Sequence, residues 1–152
     1  MAKAPKVEAD PDAAKYASRE LPKLISKYFS TVRKALAKNP SPPELHRLRL
    51  ATKHVRYTLE LFRSCYGPGL ENRIDELRDV QQILGEINDC AATVRLLKTM
   101  PASPDRKQSV VFLDAQADRK AHLFRTQWME KFDAPGRERW WVTYLERQAT
   151  AS

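Results

Sequence analysis

Four breaks divide this chain: Asp10-Pro11, Ser41-Pro42-Pro43, Gly67-Pro68 and Ser103-Pro104. Three of them place a side chain that accepts hydrogen bonds from a first helical turn directly before a proline. Proline is tolerated at the first helical position, because its missing N–H would have no intrahelical partner there. Ser41 and Glu44 also have the spacing of a capping box. Between the breaks, apolar residues recur every three or four positions, while alternating apolar runs, Asn-Gly or Asp-Gly turns and glycine-rich phosphate loops are missing. That pattern argues against a sheet or a nucleotide-binding α/β fold. It predicts helices from Pro11 to about Lys38, from the Ser41 cap to Gly67, from Leu70 to about Thr99, and from the Ser103 cap to about Phe132. Pro22 is expected to kink or split the first, and Gly67 to close the second in a left-handed conformation. Short connections make sequential helices antiparallel. The expected fold is therefore all-α, an antiparallel four-helix bundle over residues 11–133, with a flexible arm at 1–10 and a tail or short extra helix over 134–152.

A length of 152 residues with 42% hydrophobic and 30% charged positions suits one globular domain with a real core. The formal charge of +8 and pI near 9.7 direct the search for partners toward anions: nucleic acid, polyphosphate, acidic lipid or an acidic protein. No window of about 18 apolar residues suggests a membrane span, and no early apolar run precedes a cleavage site. No membrane association and a cytoplasmic location are the expectation. Cys65 and Cys90 should lie on opposed helices roughly 30 Å apart along the axis, too far to bridge.

The second helix carries two stripes. Leu45, Leu48, Thr52, Val55, Leu59 and Phe62 form a core seam, and His46, Arg49, Lys53 and Arg56 repeat its rhythm one residue later, about 100° around the helix. Adjacent cations there lie about 6 Å apart and repel by roughly 0.7 kcal/mol in water, or roughly 3 kcal/mol where the effective dielectric is near 20. Carboxylates on a neighbouring helix, or an external anion, must offset this, unless the row is simply a solvated face. With the turn at Pro68 taken as a mirror, His46 falls level with about residue 90, Arg49 with about 87 and Arg56 with about 80. Asp89 or Glu86 is then expected to orient His46 or Arg49, while the Arg56 end meets only Gln81 and Gln82, leaving Lys53 and Arg56 free for a ligand. Arginine suits bidentate phosphate binding, lysine adds a compact charge and histidine donates from its ring nitrogens. Tyr57 and Arg47 join this set of candidate binding residues, and Lys23 and Lys27 on the first helix extend it.

The segments "HRLRLATKHVRYTLELF" and "LRDVQQILGEINDCAATVRLL" resemble the CHAD domain, the conserved-histidine α-helical domain, over about residues 15 to 132. His46, Arg49, Lys53, Arg56 and Tyr57 fall on the family's H-x-L-R-x-x-x-K-R-x-R-Y pattern, and Leu84, Gly85 and Asp89 on its L-Q-D-x-L-G-x-x-x-D pattern. His54 stands where the family has a second base, and Gln82 where it has Asp. The resemblance implies a helical bundle whose basic side chains bind inorganic polyphosphate. A full CHAD domain has two such halves, so this half-length version implies a homodimer through an isologous contact that lines one groove with both basic faces.

Other signals are weaker. "RERWWVTYLER" interleaves Arg137 and Arg139 with Trp140, Trp141 and Tyr144, a mixture that stacks bases or anchors at membranes but more often packs on a bundle end. Arg119, Lys120 and Arg125 are dispersed around the fourth helix. No metal-ligand spacing and no nucleophile motif is visible, so no metal, cofactor or catalysis is expected. The expected function is non-enzymatic polyphosphate binding. Nucleic-acid binding is the rival, less expected because only Tyr57 lies beside the stripe, and a module that recruits partners to polyphosphate granules is a third reading.

Overall fold

The computed structural model describes residues 10–150, so the arm expected at 1–10 lies outside it except for Asp10. Asp10 caps α1 (Pro11–Leu36), its carboxylate accepting the Ala13 N–H at 2.7 Å. Of the kink or split expected at Pro22, the split does not occur: α1 runs through Pro22 without a break. Proline has no N–H to give the Ser18 carbonyl, but Leu21, Ile25, Tyr28, Phe29 and Val32 on the same helix are all buried and hold it in one piece. In α2 (Pro42–Leu61) the Ser41 hydroxyl accepts the Glu44 N–H and meets the Glu44 carboxylate, as the capping spacing predicts. The helix ends before Gly67, in a tight 3-10 turn over Arg63–Cys65. Gly67 is not left-handed either: among the described residues the positive φ belongs to Gly136, at 84°, which opens α5.

α3 (Gly69–Lys98) and α4 (Pro104–Gln127) follow the predicted limits, α4 continuing through a π-helical turn at Trp128–Phe132. The short extra helix is α5 (Arg137–Arg147). α2 packs between α1 and α3, α3 packs on α4, and α5 lies along α1. Where the ends of α1 and α4 meet, Trp128 stands among the rings of Tyr28, Phe29, Phe124 and Phe132. Trp141 and Leu145 of α5 are fully buried in that same core, so α5 shares its interior with the bundle. The hydroxyls of Tyr28 and Thr52 pair at 2.7 Å and tie α1 to α2 in the interior. Among the described residues there is no strand, and no helix is long and apolar enough to cross a membrane.

Candidate anion-binding groove

The seam residues Leu45, Leu48, Thr52, Val55 and Leu59 are buried. This fixes the rotation of α2, so that Arg49, Arg56 and Glu60, one position further on, look toward α3. There the two helices leave an open groove of about 400 Å³. Arg49 and Arg56 form one wall and Arg78, Gln81, Gln82 and Gly85 the other, with Glu86 and Asp89 toward the start of α2.

Arg56 is held on three sides. Its Nε donates to Gln81 Oε1 at 2.8 Å, its Nη1 donates to Glu60 Oε1 at 2.8 Å, and its guanidinium lies 4.5 Å from the centre of the Tyr57 ring. The mirror about Pro68 therefore placed Arg56 correctly against Gln81, but Arg56 is not free. Glu60 stands one turn further along the same shoulder and is only 7% exposed, and a buried carboxylate needs a cation. The same Glu60 oxygen also accepts Arg78 Nη2 at 3.2 Å, while Arg78 Nη1 donates to Asp75 at 2.8 Å. Arg78 of the groove lining, and the buried Glu60 that binds Arg56 and Arg78, are the residues that sequence reasoning missed. The available signal was Glu60 itself, the first acid on the stripe, which lies nearly level with Arg78 across the turn.

Arg49 has the opposite surroundings. Its Nε is buried without a hydrogen-bond partner, and among the described residues it forms no ion pair. Gly85 faces it from α3, where a methyl group would sit 3.6 Å from that Nε, an ordinary contact. His46 Nδ1 is likewise buried and unpartnered, outside the groove lining. Neither is oriented by the expected acids. Glu86 turns to α4 and binds Lys120 at 3.0 Å, since a carboxylate between two helices takes the nearer cation. Asp89 is exposed at the groove's end and forms no ion pair among the described residues.

Lys53 is half-buried and, among the described residues, without an ion pair, its ammonium 5.8 Å from the Tyr57 ring centre. Tyr57 is exposed between Lys53 and Arg56, and Arg47 is exposed away from the groove. Lys23 and Lys27 line a different groove, between α1 and α2, together with His54 and Thr58. The structure thus brings Arg49, Arg56 and Gln81 together, with Asp89 and Glu86 at one end, and sets Lys23 and Lys27 on the other flank of α2.

The aromatic residues of α5 are occupied by the protein itself. Arg73 of α3, 5% exposed, lies 3.4 Å from the Trp140 ring centre and 3.8 Å from that of Tyr144, and it donates to the carbonyls of Gly69 and Trp140 at 3.0 Å. Burial pushes its pKa down to about 10, still far above neutrality, so the stack holds a cation. Arg137 covers Trp140 as well, at 3.9 Å, and pairs with Glu76. These contacts fix α5 to α3 and occupy ring faces of Trp140 and Tyr144, while Trp140 stays partly exposed. Among the described residues no group of three or more His, Cys, Asp or Glu side chains is arranged to hold a metal ion.

Three guanidinium groups, each with five N–H donors, thus converge on one groove, and among the described residues the Arg49 group forms no ion pair and its Nε no hydrogen bond. Comparison with protein families finds that the model described as "CHAD domain" matches residues 1–98, the chain up to the end of α3. Neither curated proteins nor solved structures give a match.

Proposed function

Because the chain belongs to the CHAD-domain family, we propose that it binds inorganic polyphosphate, without catalysis, in the groove between α2 and α3. Arg49, Arg56 and Arg78 supply the donors, with His46, Lys53 and Tyr57 along the same edge of α2. One observation carries the reading: Arg49 lines an open groove while, among the described residues, its buried Nε has no hydrogen-bond partner. A half-buried guanidinium at an open groove, with no acidic partner among the described residues, has donors left for an external anion. Linear polyphosphate offers closely spaced charges to such a row, and its bonds stay intact in this site. Nucleic acid shares the electrostatic attraction, but Arg73 and Arg137 already lie on the α5 rings, and Tyr57 is the one exposed ring described beside the basic row.

In this reading the protein works in the cytoplasm beside polyphosphate granules, and two copies join their basic faces through an isologous contact. Mass by light scattering at micromolar concentration tests the pairing, and a monomer with intact polyphosphate affinity rejects it. The function itself is tested by titrating defined polyphosphates against wild type and the Arg49, Lys53 and Arg56 triple alanine variant across a salt series. A hydrogen bond to a charged group contributes about 1.5–3 kcal/mol, so affinity should fall by about tenfold or more. The slope of log affinity against log salt should become shallower, as counterion release requires. Unchanged affinity in the triple variant, or displacement of polyphosphate by duplex DNA at equal phosphate concentration, overturns the proposal.

A further inference from the structure

We infer that Glu60 is the positioning residue of this groove: a buried carboxylate that holds two arginines from different helices in place for the ligand. The inference rests on the polyphosphate reading and adds to it a residue that carries the wrong charge to bind phosphate. One Glu60 oxygen takes Nη1 of Arg56 at 2.8 Å and Nη2 of Arg78 at 3.2 Å. The Glu60 side chain is 8% exposed and that of Arg56 14%, so this pair lies below the groove surface, where a ligand does not easily displace it. Arg56 is further fixed by Gln81 at 2.8 Å and by the Tyr57 ring, and Arg78 by Asp75 at 2.8 Å.

Counting the bonds shows what this arrangement leaves over. Each guanidinium has five N–H groups, and each of these two spends two of them on protein acceptors. The remaining donors belong to groups whose planes are already set, so a polyanion need not order two long side chains when it binds. Without the shared carboxylate the two guanidiniums, one on α2 and one on α3, repel each other across the groove.

Simple charge counting predicts the reverse. Glu60 is a negative charge beneath an anion site, so its neutralisation should strengthen binding. The sign of the effect therefore separates the two accounts. The experiment is a titration of labelled polyphosphate of defined length against wild type, Glu60→Gln, Arg56→Ala and the double variant, at several salt concentrations and well below each melting temperature. Positioning predicts that Glu60→Gln binds about tenfold more weakly although the site has lost a negative charge. It also predicts that Arg56→Ala costs markedly less in the Glu60→Gln background than in wild type, a coupling that a merely structural role would not produce. Should Glu60→Gln be too unstable to measure, Arg78→Met, which removes the cross-helix member and leaves the Arg56–Glu60 bond, is expected to weaken binding and to reduce the effect of Arg56→Ala. Wild-type binding combined with equal or tighter binding by Glu60→Gln, or equal effects of Arg56→Ala in both backgrounds, overturns the role of Glu60 alone. Absence of polyphosphate binding by wild type overturns the groove reading and this inference together.

Discussion

Gly85 sits inside α3, opposite Arg49, and its replacement by glutamate should move stability and binding in opposite directions. A glycine in a helix interior costs about 0.5–1 kcal/mol relative to alanine, and glutamate is nearly as good a helix former. The new Cβ meets nothing closer than Arg49 Nε at 3.6 Å, an ordinary contact, so no strain cancels the gain. Adding an exposed ion pair to Arg49 of up to about 1 kcal/mol gives a net stabilisation of about 1–1.5 kcal/mol. For a chain of this size that is a rise in melting temperature of about 2–6 °C. A carboxylate roughly 6 Å from a bound phosphate, at an effective dielectric near 20, opposes binding by about 3 kcal/mol, close to a hundredfold in affinity. Calorimetric melting and an anisotropy titration with labelled polyphosphate measure the two effects. Gly85→Ala is the control, stabilised by the helix contribution alone, about 0.5–1 kcal/mol, and bound within about threefold of wild type. A Gly85→Glu protein that binds like wild type removes the Arg49 face from the site, and one that melts lower shows that α2 and α3 approach more closely than this geometry allows.

Arg73→Met should lower stability by roughly 3 kcal/mol through loss of two carbonyl hydrogen bonds and the stack between Trp140 and Tyr144. The melting temperature should drop by about 6–12 °C, and a wild-type value refutes the structural role given to the α5 rings. Cys65 is buried in the turn after α2, and burial pushes its thiol pKa up, whereas Cys90 is half-buried. A maleimide at neutral pH should therefore label Cys90 about tenfold faster or more in the folded protein, and equal rates would mean that the turn opens readily.

The helices were legible because their ends are written in local chemistry. Asp10, Ser41 and Ser103 accept the N–H bonds that their positions predict, and proline follows each. The errors fall where tertiary packing outweighs a local preference. Pro22 removes one hydrogen bond, a local loss, while the surrounding turns bury Leu21 and Ile25 completely or nearly so, and the helix continues. Gly67 offered a left-handed cap, but the chain had already left the helix at Phe62, and the buried Cys65 and Tyr66 hold it in a tighter turn. The Trp-rich tail gave no sign in its composition of whether its rings were available. Only the burial of Arg73 between Trp140 and Tyr144, a contact between residues 67 and 71 positions apart in sequence, decided that they were not.

The site was legible to the extent that helical period determines which residues share a face, and it failed where charges choose partners. Period and mirror placed Arg56 beside Gln81, which the structure keeps at 2.8 Å. They did not show that Glu86 would take Lys120 from a third helix, because the mirror relates only α2 and α3. Nor did they show that the row divides in two. One part, Arg56 with Arg78, is fixed around Glu60, and the other, Arg49 with Lys53, has no carboxylate within ion-pair distance among the described residues. Repulsion along α2 is thus relieved at its later turns from inside the protein and left unrelieved at its earlier turns. A fully compensated row would hold its arginines in place but attract no anion, and a fully bare one would attract anions with side chains still to be ordered. The division between the two gives the groove fixed donors at one end and unspent charge at the other, and an extended polyanion is long enough to meet both.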